Sequence, residues 1–162
     1  MAQRTIEYSG TYQPDGNSYL AVYGWTRDPL VDYYVIENFG SYDPSSQGKK
    51  MGSVSCDGGQ YDLYQNQRVI WPGGVARQYL SIVVVNGTQR TEKRTGGTVT
   101  TGCHFTTWEQ NGMGLGSHDF MIVAVEGYWS SGQATIRVDS PPGGLGNGRE
   151  MTKTGRKWVK TT

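Results

Sequence analysis

A pair of alternating runs joined by a turn constrains the fold of this chain more than any other feature of its sequence. Residues 19–25 alternate tyrosine, alanine and tryptophan with leucine, valine and glycine, and residues 31–37 are again rich in aromatic and β-branched side chains. Side chains alternate between the two faces of a β-strand, so each run predicts a strand with two distinct faces. The connector, residues 26–30, contains an Asp-Pro turn signal. The two runs therefore predict a β-hairpin.

The rest of the chain repeats short strand-like segments separated by turns. Further strand candidates are residues 52–54, 61–64, 78–85, 97–101, 119–125 and 133–138. An Asp-Gly-Gly sequence at residues 57–59 separates two of these candidates and predicts a tight hairpin turn. Residues 104–113 are the best helix candidate, because apolar side chains recur along one edge and Gly112 can end the helix.

Composition and charge agree with an all-β chain and exclude some partners. The chain contains 24 glycines and 11 tyrosines and has a formal net charge of +1. Glycine above the usual frequency of about 7% suits many tight turns, and tyrosine suits strands. A net charge this small gives no field that favours nucleic acid. Apolar runs all fall short of the roughly 18 residues that a membrane helix needs. We therefore expect neither nucleic-acid nor membrane partners.

The chain changes in character after residue 138. Residues 140–148 are rich in glycine and proline and resemble a linker, and the following residues, 149–162, are basic. We expect one domain at residues 1–138, and a linker with a disordered tail at residues 139–162. A stub leading toward another module is the alternative for the tail. The polar opening residues show no signal peptide.

Asp32 and Glu126 are the candidate catalytic carboxyls. Asp32 shares a predicted strand face with aromatic residues, and Glu126 ends an apolar strand, where a charged residue is costly without partners and a carboxyl suits a general acid. Aromatic residues on such a face either fill a core or line a groove for sugar rings. Two carboxyls across such a groove are the machinery of glycoside hydrolysis. A surface aspartate and a structural glutamate are the alternative.

Two separate motifs resemble the signatures of a known enzyme family. Residues 23–34, Tyr-Gly-Trp-Thr-Arg-Asp-Pro-Leu-Val-Asp-Tyr-Tyr, are similar to the pattern YGWTR-x-PL-[VI]-E-YY of glycoside hydrolase family 11 xylanases. Residues 122–132, Ile-Val-Ala-Val-Glu-Gly-Tyr-Trp-Ser-Ser-Gly, resemble that family's motif around its acid/base glutamate. Residues 55–64 and 94–105 match as well. The resemblance extends from about Arg4 to Val138.

The resemblance implies a two-sheet β-jelly-roll sandwich with one α-helix and a cleft for xylan. It implies an extracellular enzyme that hydrolyses internal β-1,4 xylosidic bonds of xylan and xylo-oligosaccharides with retention, without metal or cofactor. By position, Asp32 is the nucleophile and Glu126 the acid/base. The residues expected to contact substrate are Tyr23, Trp25, Arg27, Tyr34 and Gln78. A xylan-binding jelly roll without catalysis and an inactive fragment are the alternatives.

The two cysteines and the two histidines have separate interpretations. The spacing of Cys56 and Cys103 leaves two buried thiols and one disulfide equally open. The resemblance favours the disulfide, because some family members pair cysteines at these positions. His104 and His118 lack the spacing of metal ligands, so helix packing and a loop position are the expected roles.

The chain also departs from the family's pattern near the expected nucleophile. Asp32 stands where the family has glutamate, and the missing methylene retracts the carboxylate by about 1 Å, a misplacement that can cost about 10²-fold in rate. We therefore expect weak activity. Val83 stands where the family has arginine, and the loss of that cation is expected to raise the pKa of Asp32.

Two further departures lie in the thumb loop and at the N-terminus. Pro72 is the first residue of a shortened thumb loop and stands only six residues before Gln78, whereas the family's thumb motif stands some ten residues before its Gln. Family members carry some tens of residues before the position of Arg4, and these supply several strands and part of the cleft. Without those strands, exposed strand edges are expected to lead to self-association.

Overall fold

Ten strands in two sheets, and one helix, make up the described part of the chain. The computed structural model describes residues 3–70, 72–84 and 94–139, and the backbone of Arg149–Thr154. The helix α1 spans Thr101–Gln110. The strands are β1 (Thr5–Asp15), β2 (Ser18–Arg27), β3 (Val31–Phe39), β4 (Lys49–Cys56), β5 (Gly59–Ile70), β6 (Gly74–Val83), β7 (Gly97–Thr100), β8 (Ser117–Gly127), β9 (Ser131–Asp139) and β10 (Arg149–Thr154). The predicted all-β class, with two sheets and one helix, is confirmed.

The predicted hairpin lies in the larger of the two sheets. The six-stranded sheet has the order β4-β5-β6-β3-β2-β8, and the four-stranded sheet has the order β10-β9-β1-β7. β2 and β3 pair antiparallel, as the alternating runs predicted, with Tyr23 opposite Tyr34. β3 and β6 pair in parallel, which places Gln78 beside Asp32. β2 also pairs with β8, so the strand that carries Glu126 is one strand away from β3.

The six-stranded sheet has two apolar faces, as the alternation in β2 predicted. One face packs against the four-stranded sheet and the helix, and its buried core includes Leu20, Val22 and Tyr33. The opposite face carries a second cluster of buried side chains, with partly buried tyrosines packed against it. Its buried members are Ala21, Tyr34, Ile36, Leu80 and Ile82. By alternation, Asp32 and Gln78 lie on this second face.

The helix begins three residues before its predicted start. The predicted start at His104 marks the first buried apolar edge, whereas the observed start is fixed by the turn between β4 and β5. The carboxylate of Asp57 accepts hydrogen bonds from the Thr100 backbone N–H at 2.6 Å and the Thr100 hydroxyl at 2.7 Å. A Cys56–Cys103 disulfide joins the same turn to the first turn of α1. Gly112, with φ of 74°, follows the helix end as expected.

The β5–β6 hairpin closes with the short loop expected from the sequence. Ile70 pairs with Gly74, and the backbone N–H of Gly73 donates to the carbonyl of Ile70 at 2.9 Å. Val69 and Val75 face each other across the strands near this end and are exposed. The loop therefore ends a long two-stranded arm rather than a separate lobe.

The structure differs from the expected tail at Arg149–Thr154. These residues form β10, antiparallel to β9, from Arg149 opposite Val138 to Thr154 opposite Gln133. An edge strand offers unpaired backbone groups to a further strand, and β10 takes that position on β9. Residues 140–148 and 155–162 lie outside the described residues, and the domain boundary after residue 138 stays a prediction. Within the described residues, no helix is long and apolar enough to cross a membrane.

Candidate active site

Asp32 lies in the middle of the six-stranded sheet with its side chain fully buried. The guanidinium of Arg68, on β5, donates a hydrogen bond to Asp32 Oδ2 at 2.7 Å. The same nitrogen lies 3.4 Å from the hydroxyl of Tyr34. Burial raises the pKa of Asp32, and the hydrogen bond and the charge of Arg68 oppose that rise. Asp32 is therefore a buried carboxyl held by one cation.

Arg68 corrects the expectation that this carboxyl lacks a cation. Val83 is a buried member of the core between the sheets, and alternation along β6 places it on the face opposite Gln78. A charged side chain at position 83 would therefore lie on the face away from Asp32. The pKa of Asp32 is raised, as expected, but the cause is burial rather than a missing arginine. Alternation along β5 from Tyr64 puts Arg68 on the face of Tyr64, a signal that the sequence already contained.

Glu126 lies at the end of β8, directly opposite Tyr19 of β2. The Tyr19 hydroxyl donates a hydrogen bond to Glu126 Oε2 at 2.6 Å, and the Glu126 side chain is half-buried. Burial, followed by the neighbouring Glu126 carboxylate, raises the pKa of Tyr19 and keeps it a hydrogen-bond donor. Tyr19 is therefore a partner of Glu126 that the alternation along residues 19–25 placed on the correct face without assigning it to the site.

Three tyrosines connect the two carboxyls. Tyr34 stacks on Tyr23 with ring centroids 4.6 Å apart, and Tyr19 packs edge-on against Tyr34 at 5.5 Å. Burial raises the pKa of both Tyr23 and Tyr34, and the charges of Asp32 and Glu126 each add to the rise at both hydroxyls. Arg68, Tyr34 and Tyr19 therefore link the two carboxyls along one face of the sheet.

The remaining predicted contacts divide into two groups. Trp25 lies opposite Asp32 in the β2–β3 register, and its indole N–H donates to the hydroxyl of Tyr23. Gln78 is half-buried beside Asp32 on β6. Arg27 lies instead at the end of β2, where its exposed guanidinium forms an ion pair with Asp119 at 2.8 Å. The structure thus gathers Trp25 and Gln78 around Asp32, and holds Arg27 at the strand end.

The two carboxyls lie in different environments. Asp32 is buried and held by a guanidinium, whereas Glu126 is half-buried and held by a phenol. Two carboxyls with different partners on one face of a sheet are the kind of pair that a two-carboxylate hydrolytic site uses. In the part of the chain that the structure describes, His, Cys, Asp and Glu side chains form no group that could hold a metal ion.

Comparisons with known proteins show what the chain as a whole is similar to. The family model described as Glycosyl hydrolases family 11 matches residues 1–137. The chain is 53% identical over 141 residues to an endo-1,4-beta-xylanase 11B of Humicola insolens, covering 85% of this chain and 46% of that protein. It is 53% identical over 142 residues to an endo-1,4-beta-xylanase B of Gibberella zeae, covering 85% of this chain and 59% of that protein.

A solved structure gives the same result for the fold. An endo-1,4-beta-xylanase from Trichoderma reesei matches with a TM-score of 0.75 and 36% sequence identity, over 84% of this chain and 74% of that chain. The chain spans about half the length of the first curated relatives that it matches.

Proposed function

The chain belongs to glycoside hydrolase family 11, and on this premise we propose that it is an endo-1,4-β-xylanase domain that cleaves internal β-1,4 xylosidic bonds. Its substrates are xylan and xylo-oligosaccharides. The observation that carries the proposal is the chain of contacts between the two carboxyls: Arg68 bonds to Asp32 and Tyr34, and Tyr19 packs against Tyr34 and bonds to Glu126. Sugar rings stack on aromatic faces and bond to phenol hydroxyls, so a xylose ring over these tyrosines would meet both carboxyls.

In the proposed first step, Glu126 protonates the glycosidic oxygen while Asp32 attacks the anomeric carbon. The carbon–oxygen bond to the leaving sugar breaks, and its electron pair takes the proton from Glu126. Asp32 then carries a covalent xylosyl ester. The hydrogen bond from Tyr19 fixes one oxygen of Glu126, so that the carboxyl presents its other oxygen to the leaving group.

In the second step, the Glu126 carboxylate accepts a proton from water, and the hydroxide formed attacks the same carbon. The ester bond to Asp32 breaks, and Asp32 regains its charge. Two displacements at one carbon return its original configuration. Arg68 supports both steps, because its hydrogen bond stabilises the anionic form of Asp32 against the effect of burial.

Release of reducing sugar from soluble xylan tests the proposal. The wild-type chain should release sugar, and both Glu126→Gln and Asp32→Asn should reduce the rate by orders of magnitude while keeping the melting temperature. Each variant removes an ionisable group and keeps the shape of the side chain. Binding of xylan by a well-folded wild-type chain without any release would match the alternative of a xylan-binding jelly roll. A chain without a cooperative melting transition would match the inactive fragment.

We also propose that the protein works outside the cell. The Cys56–Cys103 disulfide supports this location, because disulfides persist in oxidising compartments and are rare in reducing ones. The family resemblance implies the same location. Protein isolated from its native source without reducing agent should carry the bond, and free thiols at both positions would contradict the proposal.

A second copy of this chain is also a proposed partner, through pairing of exposed strand edges. β4 and β8 are the outer strands of the six-stranded sheet in the described part of the chain. β8 carries large apolar side chains that are only half-buried, including Met121 and Ile122. A long edge strand with apolar side chains is a template for pairing with a second chain. We propose that β8 is the edge that a second copy of this chain uses.

A further inference from the structure

Trp129 occupies an unusual position in the turn between β8 and β9. Its side chain is 94% exposed, and its backbone has a φ of 51°. This left-handed conformation is costly for a bulky residue, and asparagine or glycine adopts it more easily. A large exposed aromatic residue in such a conformation contributes little to core packing. Contact with a ligand at the protein surface would explain why tryptophan occupies this position.

Hydrogen bonds to the β1–β2 turn hold Trp129 in place. The Asn17 carbonyl accepts hydrogen bonds from the Tyr128 backbone N–H at 3.0 Å and from the Ser130 hydroxyl at 2.6 Å. The Ser131 hydroxyl donates to Asp15 Oδ2 at 2.9 Å. Both neighbours of Trp129 are therefore anchored, and the indole is presented on a rigid turn. A rigid aromatic contact loses little entropy when a ligand binds.

A concavity of about 700 Å³ lies beside the indole. Its lining combines one aromatic ring with a carboxylate, two hydroxyls and two glycines: Asp15, Gly16, Gly127, Trp129, Ser130 and Ser131. A flat apolar ring next to hydrogen-bonding oxygens suits a sugar, whose apolar face stacks while its hydroxyls bond to the oxygens. The carboxylate of Asp15, with no basic side chain in the lining, disfavours an anionic ligand.

The concavity is next to the candidate active site but does not share its walls. It is built from the end of β1 and the β1–β2 turn, the end of β8 at Gly127, the β8–β9 turn and the start of β9, and its lining includes neither Asp32 nor Glu126. The ring of Tyr128 lies edge-on to Trp129, with ring centroids 6.0 Å apart. We propose that Trp129, Asp15 and Ser131 form a second carbohydrate-binding site, which holds a neighbouring stretch of the polymer that the active site cleaves.

The identity of the ligand, a β-1,4-linked xylan chain, rests on the proposed function, but binding at this site does not require hydrolysis. Affinity electrophoresis in native gels with soluble xylan therefore tests it in a Glu126→Gln background, where the polymer stays intact. Trp129→Asn removes the ring and relieves the left-handed strain. We expect this variant to bind xylan roughly tenfold more weakly, as the loss of one stacking contact would give. Trp129→Tyr should retain most of the affinity.

A stability measurement separates binding from folding. Trp129→Asn should melt at the wild-type temperature or above, because asparagine tolerates the left-handed conformation. Val75→Asn is the matched control, since Val75 is also an exposed apolar residue, at 60% exposure, on the β5–β6 arm. It should leave retardation by xylan unchanged. If Trp129→Asn lowers the melting temperature, the ring has a structural role, and the inference is overturned.

The remaining outcomes distinguish the inference from the proposed function. Unchanged retardation of Trp129→Asn, with xylan hydrolysis by the chain that retains Glu126, would overturn the second site and leave the hydrolase standing. If retardation depends on Trp129 but the chain that retains Glu126 does not hydrolyse xylan, the second site stands and the proposed hydrolase function is overturned. A change in sedimentation rather than in retardation would identify Trp129 as a contact for another protein chain and would also overturn the inference.

Discussion

At Asp32, adding the one methylene group that distinguishes glutamate from aspartate is expected to change activity strongly. Its carboxyl is fully buried and accepts a 2.7 Å hydrogen bond from Arg68. Asp32→Glu extends the carboxylate by about 1 Å toward the sugar, and we expect turnover on xylan to rise by up to about 100-fold. Initial rates at saturating xylan check this prediction, with the melting temperature measured alongside. A stable glutamate variant that turns over no faster would contradict it.

Arg68 gives a second prediction at the residue scale, read from the pH dependence of activity. Its charge lowers the pKa of Asp32 against the effect of burial, so its removal should raise that pKa further. In Arg68→Met the acidic limb of the kcat/KM profile should therefore move to higher pH, because Asp32 must be anionic to act. Arg68→Lys keeps the charge and is the control. An acidic limb that stays in place in Arg68→Met would refute the assignment.

At the scale of elements, helix α1 is held to the sheet by a buried polar group that titrates. His104 is fully buried, and its Nδ1 lies 3.0 Å from the hydroxyl of Ser81, which also accepts a hydrogen bond from the Trp108 indole at 2.9 Å. Burial lowers the pKa of His104 from 6.5 to about 4. The folded protein therefore binds this proton less readily than the unfolded chain does.

The sign of the resulting pH dependence is fixed. A lowered pKa in the folded state stabilises the fold fully above pH 6.5, and this stability is lost as the pH falls toward 4. We expect the free energy of unfolding to drop by up to about 3 kcal/mol across that window. Urea unfolding at several pH values measures the slope. His104→Asn should remove most of it, and a variant that keeps the wild-type slope would contradict the prediction.

The elements also show how far the sequence could predict the structure. The β2–β3 hairpin, both of its faces and the turn at residues 57–59 followed from local alternation and turn chemistry, because strands and turns are specified by adjacent residues. The start of α1 could not be predicted in this way, because Asp57 and Cys56, 40 or more residues away in the chain, fix it. Arg68 was missed for a related reason: its contact with Asp32 crosses β6 and depends on sheet order.

At the scale of the whole molecule, the proposed edge pairing through β8 predicts self-association. Sedimentation velocity should show the weight-average mass rising with protein concentration. Ile122→Lys places a charge on the edge strand and should shift the equilibrium toward monomer, as charged edges do in natural sheets. Val69→Lys, on the β5–β6 arm, makes the same change at an exposed valine and is the control. A monomer at all concentrations, or equal effects of both variants, would contradict β8 pairing.

The central claim is that Asp32 and Glu126 act on one glycosidic bond from a single aromatic face. Mass spectrometry of the chain after incubation with a 2-deoxy-2-fluoro-xylobioside that carries a good leaving group tests this most directly, because such a sugar traps the covalent intermediate. The account predicts one added fluoroxylobiosyl group, on the peptide that contains Asp32, and its slow loss in water. Xylan hydrolysis with no label on Asp32, or with the label on another residue, would contradict the account.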